Sequence, residues 1–153
     1  MKLAFSILIT LGVGAIAGFA TVQSIDAWYA SLNKPSFNPP NWLFGQLWTF
    51  LYILMGIALY LIWKLPASKN RTRSIEFFFF QLLLNFLWSF LFFYFHSIAI
   101  ALFDIIILWV MIFLTIILFS RLDKTASWLL VPYISWVSFA TILNIYIFYL
   151  NNR

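Results

Sequence analysis

The sequence predicts an all-α integral membrane protein, a bundle of five transmembrane helices with a folded first loop. Hydrophobic residues make up 65% of the 153 residues and charged residues only 8%, whereas about a quarter of a soluble domain is charged. Five apolar segments also reach about 20 residues, the length that crosses a hydrocarbon core of about 30 Å. The composition excludes a soluble enzyme, and its high hydrophobicity excludes a disordered chain.

Short polar joints separate the five segments. Continuous apolar runs such as Phe77–Phe80 do not alternate as strands of a membrane barrel do, so helices are favoured. We find no internal repeat and expect a single transmembrane domain over residues 1–153. The helices are predicted at residues 3–23, 42–63, 75–95, 98–119 and 127–149.

The first segment has some features of a cleavable signal peptide, because Lys2 precedes an apolar run that ends near Ala15–Ala17. The run is longer than a usual signal core, so an uncleaved first helix is favoured. Gly14 and Gly18 form a pair of small residues at helical spacing, which permits close helix approach. This pair is compatible with a homodimer but does not choose its interface.

Basic residues fall mainly on one side of the expected membrane. If successive helices alternate in direction, the side of the N-terminus holds most of them, which predicts an N-terminus inside and a C-terminus outside a bacterial plasma membrane. The net charge of +5 therefore indicates topology and not nucleic-acid binding. The two sets are Lys2, Lys64, Lys69, Arg71, Arg73, Arg121 and Lys124 inside, and Lys34 and Arg153 outside.

Few residues could perform conventional catalysis. The chain has no cysteine and one histidine, His96, which excludes disulfides, thiolate metal sites and a bis-histidine haem, so no metal site is expected. Asp104 lies inside the fourth span, where a carboxylate is a candidate functional group, with His96 as a possible proton-relay partner. The favoured alternative is a structural carboxylate near the helix end that reaches water or a polar neighbour.

The first joint, residues 24–41, is unlike a simple linker. Prolines fix the backbone and restrict the residue before them, so this segment is stiff. Its aromatic residues are typical either of a folded lid over the bundle or of an interfacial aromatic belt. The residues concerned are Trp28, Tyr29, Leu32, Pro35, Phe37, Pro39 and Pro40.

Three helices present stripes of aromatic and polar residues at a spacing of three or four. An amide in hydrocarbon costs several kcal/mol unless it is paired, so we expect these stripes to face the bundle interior. Together they predict an aromatic-walled cavity for a flat, apolar ligand, the alternative being interhelical hydrogen bonding and packing. The stripes are Trp48 and Tyr52; Gln81, Asn85 and Trp88; and Tyr133, Trp136, Ala140 and Asn144.

Several motifs resemble those of one family. The first joint reads Trp28-Tyr29-x-x-Leu32-x-Lys34-Pro35-x-Phe37-x-Pro39-Pro40, and the third helix reads Asn85-x-x-Trp88-x-x-Leu91-Phe92-Phe93. With Trp48 and the run from Ala126 to Asn144, these resemble the TspO/MBR family of tryptophan-rich sensory proteins and translocator proteins, in a bacterial-type member. The resemblance covers essentially the whole chain.

The resemblance implies a receptor that binds tetrapyrroles such as protoporphyrin, and also benzodiazepine-site ligands, in porphyrin sensing or handling. It implies that Trp48 and Asn85 donate hydrogen bonds to a ligand carbonyl. The other residues of the expected ligand site are Tyr29, Pro39, Tyr52, Trp88, Trp136, Ala140 and Leu143.

Two alternative functions stay open. One is a transporter of porphyrins or sterol-like molecules, although five spans without an inverted repeat argue against it. The other is light-dependent porphyrin degradation, in which Trp48 and Trp136 would be the catalytic residues. The expected partners are the ligand, the lipid bilayer and a second copy of the chain. No resident cofactor is expected, since the porphyrin is the ligand.

Overall fold

The structure, a computed structural model, describes residues 2–25 and 28–151, except for the side chains of residues 20, 22–25 and 41. Arg153 and residues 26–27 of the first joint therefore lie outside the described residues. Within these ranges the chain forms helices and loops and no strand. The elements are α1 (Lys2–Ile25), α2 (Trp28–Ser31), α3 (Asn41–Trp63), α4 (Lys69–Ser89), a π-helical segment (Phe90–Tyr94), α5 (Ile98–Ser120), α6 (Lys124–Leu129) and α7 (Val131–Asn151).

Five stretches in the described residues are long and apolar enough to cross a membrane: α1, α3, α4 with the π-helical segment, α5, and α6 with α7. Their outer faces carry large apolar side chains that a water-soluble protein would bury. Examples are Phe19, Phe50, Phe80, Phe103 and Phe113, which are all exposed. The prediction of an integral membrane bundle of five helices is confirmed.

Two spans begin earlier than the apolar pattern predicts. α4 starts at Lys69, because Ser68 Oγ accepts a hydrogen bond from the backbone N–H of Arg71 at 3.1 Å. Asp123 caps α6 in the same way, through the N–H of Ala126 at 3.1 Å. Hydropathy marks only the part of a helix that lies in hydrocarbon, so these polar first turns fall outside the predicted ranges.

The five spans form a ring in the order α1, α3, α7, α5, α4. α7 is tied to its neighbours by Asn144, which accepts a hydrogen bond from Trp88 Nε1 at 3.0 Å and donates one to the carbonyl of Ile98 at 3.3 Å. α3 and α7 meet mainly through side chains, with Trp48 in ring contact with Tyr133. The ring order places the predicted stripes of α3, α4 and α7 toward one interior.

α1 and α3 pack closely in the half of the bundle that is remote from the first loop. A Cβ on Gly56 would lie 2.6 Å from the Cα of Ile7, so only glycine permits this approach. Thr10 Oγ1 donates a hydrogen bond to the carbonyl of Tyr52 at 2.7 Å. A Cβ on Gly14 would lie 2.5 Å from the Tyr52 ring. Toward the first loop the two helices diverge.

The first loop is folded over its described residues 28–40. Tyr29 is buried, and its hydroxyl donates to Asn38 Oδ1 at 2.6 Å. Asn33 exchanges two hydrogen bonds with the Asn151 side chain at the end of α7, at 3.1 and 2.9 Å. Trp28 stacks on His96, whose φ of 55° is an unusual backbone conformation for a residue other than glycine. The loop is thus attached to two other parts of the bundle.

Candidate ligand-binding site

A cavity of about 590 Å³ lies between α1, α3 and the end of α4, and we call it the main cavity. Small side chains form its α1 wall, and aromatic side chains form most of its α3 wall. The lining residues are Leu11, Gly14, Ala15, Ala17, Gly18 and Thr21 of α1; Trp42, Phe44, Gly45, Trp48, Thr49 and Tyr52 of α3; and Trp88, Ser89 and Phe93.

The main cavity is closed at one end and open on one side. Its floor is the contact between Gly14 and the Tyr52 ring, where α1 and α3 come together. Above this floor Ala15, Gly45 and Thr49 line the cavity and are themselves exposed. The cavity therefore reaches the surface of the bundle between α1 and α3.

A second, much smaller space of about 20 Å³ lies under the first loop, and we call it the inner void. Trp48, Trp88, Phe44 and Phe93 line both spaces, so they form the partition between them. The remaining residues of the inner void are Tyr29, Phe92, Trp136, Ala140, Leu143, Asn144 and Ile147.

A chain of buried polar side chains lies beside the main cavity. Tyr52 OH donates to Asn85 Oδ1 at 2.5 Å, and Asn85 Nδ2 donates to Tyr133 OH at 2.8 Å. Tyr133 OH in turn donates to Gln81 Oε1 at 2.7 Å. All four side chains are buried, so the chain fixes the relative positions of α3, α4 and α7.

The sequence of this chain matches one protein family over most of its length. The family model described as TspO/MBR family matches residues 6–150. The chain belongs to the TspO/MBR family.

Several relatives in this family are similar over nearly the whole chain. The "Tryptophan-rich protein TspO" of Archaeoglobus fulgidus is 48% identical over 151 residues, which cover 99% of this chain and 97% of that protein. The protein of the same name from Chlorobaculum tepidum is 43% identical, covering 99% and 96%. The cattle "Translocator protein" is 35% identical, covering 92% of this chain and 83% of its own length.

The structure places most of the predicted ligand residues in one or both of the two spaces. Trp48 and Trp88 line both, and Tyr52 lines the main cavity alone. The other members do not reach the main cavity in the described residues. Tyr29, Trp136, Ala140 and Leu143 line the inner void, whereas Asn85 and Pro39 line neither space.

Asn85 and the two tryptophans differ in how their polar groups are used. Asn85 Oδ1 accepts from Tyr52 OH, and one of the two N–H groups of Nδ2 donates to Tyr133 OH. The second N–H remains a donor, and the bond from Asn85 to a ligand stays a prediction. The indole N–H of Trp48 forms no hydrogen bond with the described residues. Trp136 Nε1 is buried and without a partner among them. Both indoles therefore have an N–H donor without a partner in the part of the chain that the structure describes.

The small residues of α1 were missed as cavity residues. The Gly14–Gly18 pair was interpreted as a helix-packing signal, and Gly14 does pack against Tyr52. A Cβ on Gly18, however, would meet nothing within 4 Å, because Gly18 faces the cavity. The signal was the concentration of small residues at 14–18, which suits close packing and cavity lining equally well.

Asp104 is buried on α5, and its Oδ2 has no hydrogen-bond partner among the described residues. The expectation of a structural carboxylate that reaches water or a polar neighbour stays a prediction, which Oδ1 alone could satisfy, because Oδ1 is not among the buried unpartnered atoms. His96, the proposed relay partner, is exposed and stacked on Trp28. Neither residue lines the main cavity or the inner void.

Proposed function

We propose that this protein is a membrane receptor for tetrapyrroles and related flat, apolar molecules, which it binds in the main cavity. The observation that supports the proposal best is the cavity itself. Its volume of about 590 Å³ lies within the range of roughly 300–1,000 Å³ that is typical of small-molecule sites. Family membership alone supports only the coarser description of a sensory or translocator membrane protein.

The chemistry of the walls favours a flat ring system. The faces of aromatic rings stack on flat ligands, and Trp48 and Trp88 lie on the same side of the cavity. The opposite wall of α1 offers Gly14, Ala15 and Gly18, which leave room for a broad molecule. Trp48 Nε1 has no hydrogen-bond partner among the described residues, so it can donate to a carbonyl or carboxylate of the ligand.

The inner void provides a place into which the site can expand. Its volume is only about 20 Å³, but Trp136 brings an unpaired N–H to it. A larger ligand that displaces the Trp48 side chain would join the two spaces. The expected roles of Tyr29, Ala140 and Leu143 in ligand binding depend on this expansion.

Equilibrium binding of protoporphyrin to the protein in lipid nanodiscs tests the proposal. Binding is measured by quenching of tryptophan fluorescence and by the shift of the porphyrin absorbance band. We expect saturable binding that Gly18→Leu weakens about tenfold, a loss of about 1.4 kcal/mol, because the new side chain fills the cavity.

The matched control is Gly12→Leu, an exposed glycine of the same helix that does not line the cavity. A Cβ there meets nothing within 4 Å, so its affinity should equal that of the native protein. Absence of saturable quenching in the native protein, or equal weakening by both substitutions, would show that the main cavity is not the porphyrin site.

Light-dependent degradation of the porphyrin is a second candidate function, favoured by the position of Trp48. Indole is readily oxidised, and Trp48 forms part of the cavity wall in ring contact with Trp136 at 6.5 Å. Loss of the porphyrin absorbance band during illumination tests this function. It should be abolished in the Trp48→Phe, Trp136→Phe double variant under conditions where that variant still binds porphyrin.

A further inference from the structure

We propose that the ligand enters the main cavity sideways from the lipid bilayer, through the cleft between α1 and α3 on the side of the first loop. The physiological ligand is then a molecule dissolved in the membrane and not one captured from water past the loop. This inference rests on the proposed function and adds that the ligand comes from the lipid bilayer and not from water.

The cleft exists because the α1–α3 contact changes along the helices. At Gly56 and Gly14 an added Cβ would collide with the facing helix, at 2.6 and 2.5 Å. At Gly18 and Gly45, nearer the first loop, it would meet nothing within 4 Å. Over the described residues, the two helices thus close the floor of the cavity and leave its upper side wall open.

The opening lies at the depth of the hydrocarbon. The lining residues of α3 run from Trp42 to Tyr52, which at 1.5 Å per residue is about 15 Å, or about half of the hydrocarbon core. The exposed residues Gly45 and Thr49 occupy the middle of this range. A molecule lying among the acyl chains can therefore reach the opening.

The polar groups near the opening are compatible with lipid. Thr49 Oγ1 donates to the carbonyl of Gly45 at 2.8 Å, and Thr21 Oγ1 donates to the carbonyl of Ala17 at 3.3 Å. Polar groups exposed to hydrocarbon must be hydrogen-bonded within the protein. Both hydroxyls are therefore already bonded within the protein and do not require water at the opening.

The route past the first loop is obstructed over its described residues. Asn33 is held by the Asn151 side chain, and Lys34 Nζ donates to the carbonyl of Tyr29 at 2.9 Å. Phe37 packs edge-on against Tyr146 of α7 at 5.3 Å. The space beneath the described part of this loop is the inner void of about 20 Å³, so entry there would require the loop to detach.

Stopped-flow binding of protoporphyrin to the protein in nanodiscs compares the two routes. The first variant locks the loop by a disulfide between Asn33→Cys and Asn151→Cys, and because the native chain has no cysteine, no native thiol competes with this pair. The second variant, Gly45→Leu, places a bulky side chain in the cleft. Gly12→Leu is again the matched control.

We expect the locked loop to bind with an association rate within about twofold of the native rate. Gly45→Leu should slow association by about tenfold, because its side chain narrows the entrance. Since Gly45 also lines the cavity, the association rate and not the equilibrium affinity is the quantity compared. Slower association in the locked loop, or native rates in Gly45→Leu, would each overturn the proposal.

A second measurement tests whether the cleft is open to the bilayer. It does not use porphyrin, so it gives a result even if the proposed function fails. Phospholipids brominated on their acyl chains quench tryptophans that they touch. The quenching assigned to Trp48, taken as the difference between the native protein and Trp48→Phe, should be strong and should fall in Gly45→Leu but not in Gly12→Leu. Absence of this quenching shows that the cleft is closed to the bilayer.

Discussion

At the scale of single residues, Tyr133 joins α7 to α4 in the middle of the bundle. Its hydroxyl accepts a hydrogen bond from Asn85 and donates one to Gln81, whereas Tyr52 contributes a single bond, to Asn85. All these groups are buried, so each lost bond leaves a polar atom unpaired. The two tyrosines should therefore differ in their effect on stability.

We predict that Tyr133→Phe lowers the free energy of unfolding by about 1–2 kcal/mol and Tyr52→Phe by about 1 kcal/mol, since hydrogen bonds between membrane helices average roughly 0.6 kcal/mol with a maximum near 1.7. Unfolding in mixed micelles of increasing denaturing-detergent content measures both. Tyr94→Phe, at an exposed position, is the control, and equal stability of all three variants would contradict the prediction.

Burial raises the pKa of Tyr29 to about 12, although its hydrogen bond to Asn38 acts in the opposite direction. An unperturbed tyrosine titrates near pH 10, so the folded state holds this proton more tightly than the unfolded state. The stabilisation is therefore complete below about pH 10 and is lost as the pH rises through about 12. The attachment of the first loop should weaken over the same interval.

Tyrosinate absorbance near 295 nm tests this prediction. The difference between the titration curves of the native protein and Tyr29→Phe should be a single step centred near pH 12. A step centred near pH 10, the value for an exposed tyrosine, would mean that the Tyr29 hydroxyl is accessible to water.

At the scale of the helices, glycine has opposite roles along one interface. Gly56 permits α3 to approach Ile7 and Thr10 of α1, where an added Cβ would have three atoms within 3 Å. Gly45, three turns earlier on the same helix, faces the open cavity. The same substitution at these two positions should therefore have different consequences.

We expect Gly56→Ala to destabilise the protein by about 1–3 kcal/mol, the usual cost of overpacking, because the nearest atom is backbone and cannot rotate away. Gly45→Ala should be neutral or stabilising by up to about 1 kcal/mol, because alanine favours the helix. Thermal unfolding in detergent compares them. If both variants melt at the native temperature, the close α1–α3 contact does not exist.

At the scale of the whole molecule, the charged residues predict an orientation. The loop between α3 and α4, the first two turns of α4 and the segment around α6 together hold six of the nine Lys and Arg residues, and the first loop holds only Lys34. The positive-inside rule places the first loop outside the cell. The entrance that we propose would then face the outer leaflet.

Single cysteines measure this orientation directly, since the native chain has none. Ser36→Cys in the first loop and Thr125→Cys in α6 both replace exposed residues. In intact bacterial cells a membrane-impermeant maleimide should label Ser36→Cys and should label Thr125→Cys only after permeabilisation. The reverse pattern would invert the predicted topology.

The sequence by itself determined the class of protein, the five spans and the family. Helix length and hydropathy depend on neighbours along the chain, so they can be read without knowing which helices touch. The largest boundary shifts are at the starts of α4 and α6, where the polar caps Ser68 and Asp123 extend the helix beyond the hydrocarbon. The folded loop was also predictable, because its prolines restrict the backbone locally.

Only the tertiary structure decided which predicted ligand residues line the main cavity and which line the inner void. Periodicity places Trp48 and Trp136 on inward faces, but it cannot show that one lines a cavity of about 590 Å³ and the other a void of about 20 Å³. Nor can it separate Gly56, which packs, from Gly18, which lines the cavity. These differences depend on the distance between α1 and α3 at each level, and that distance is set by contacts between residues far apart in the chain.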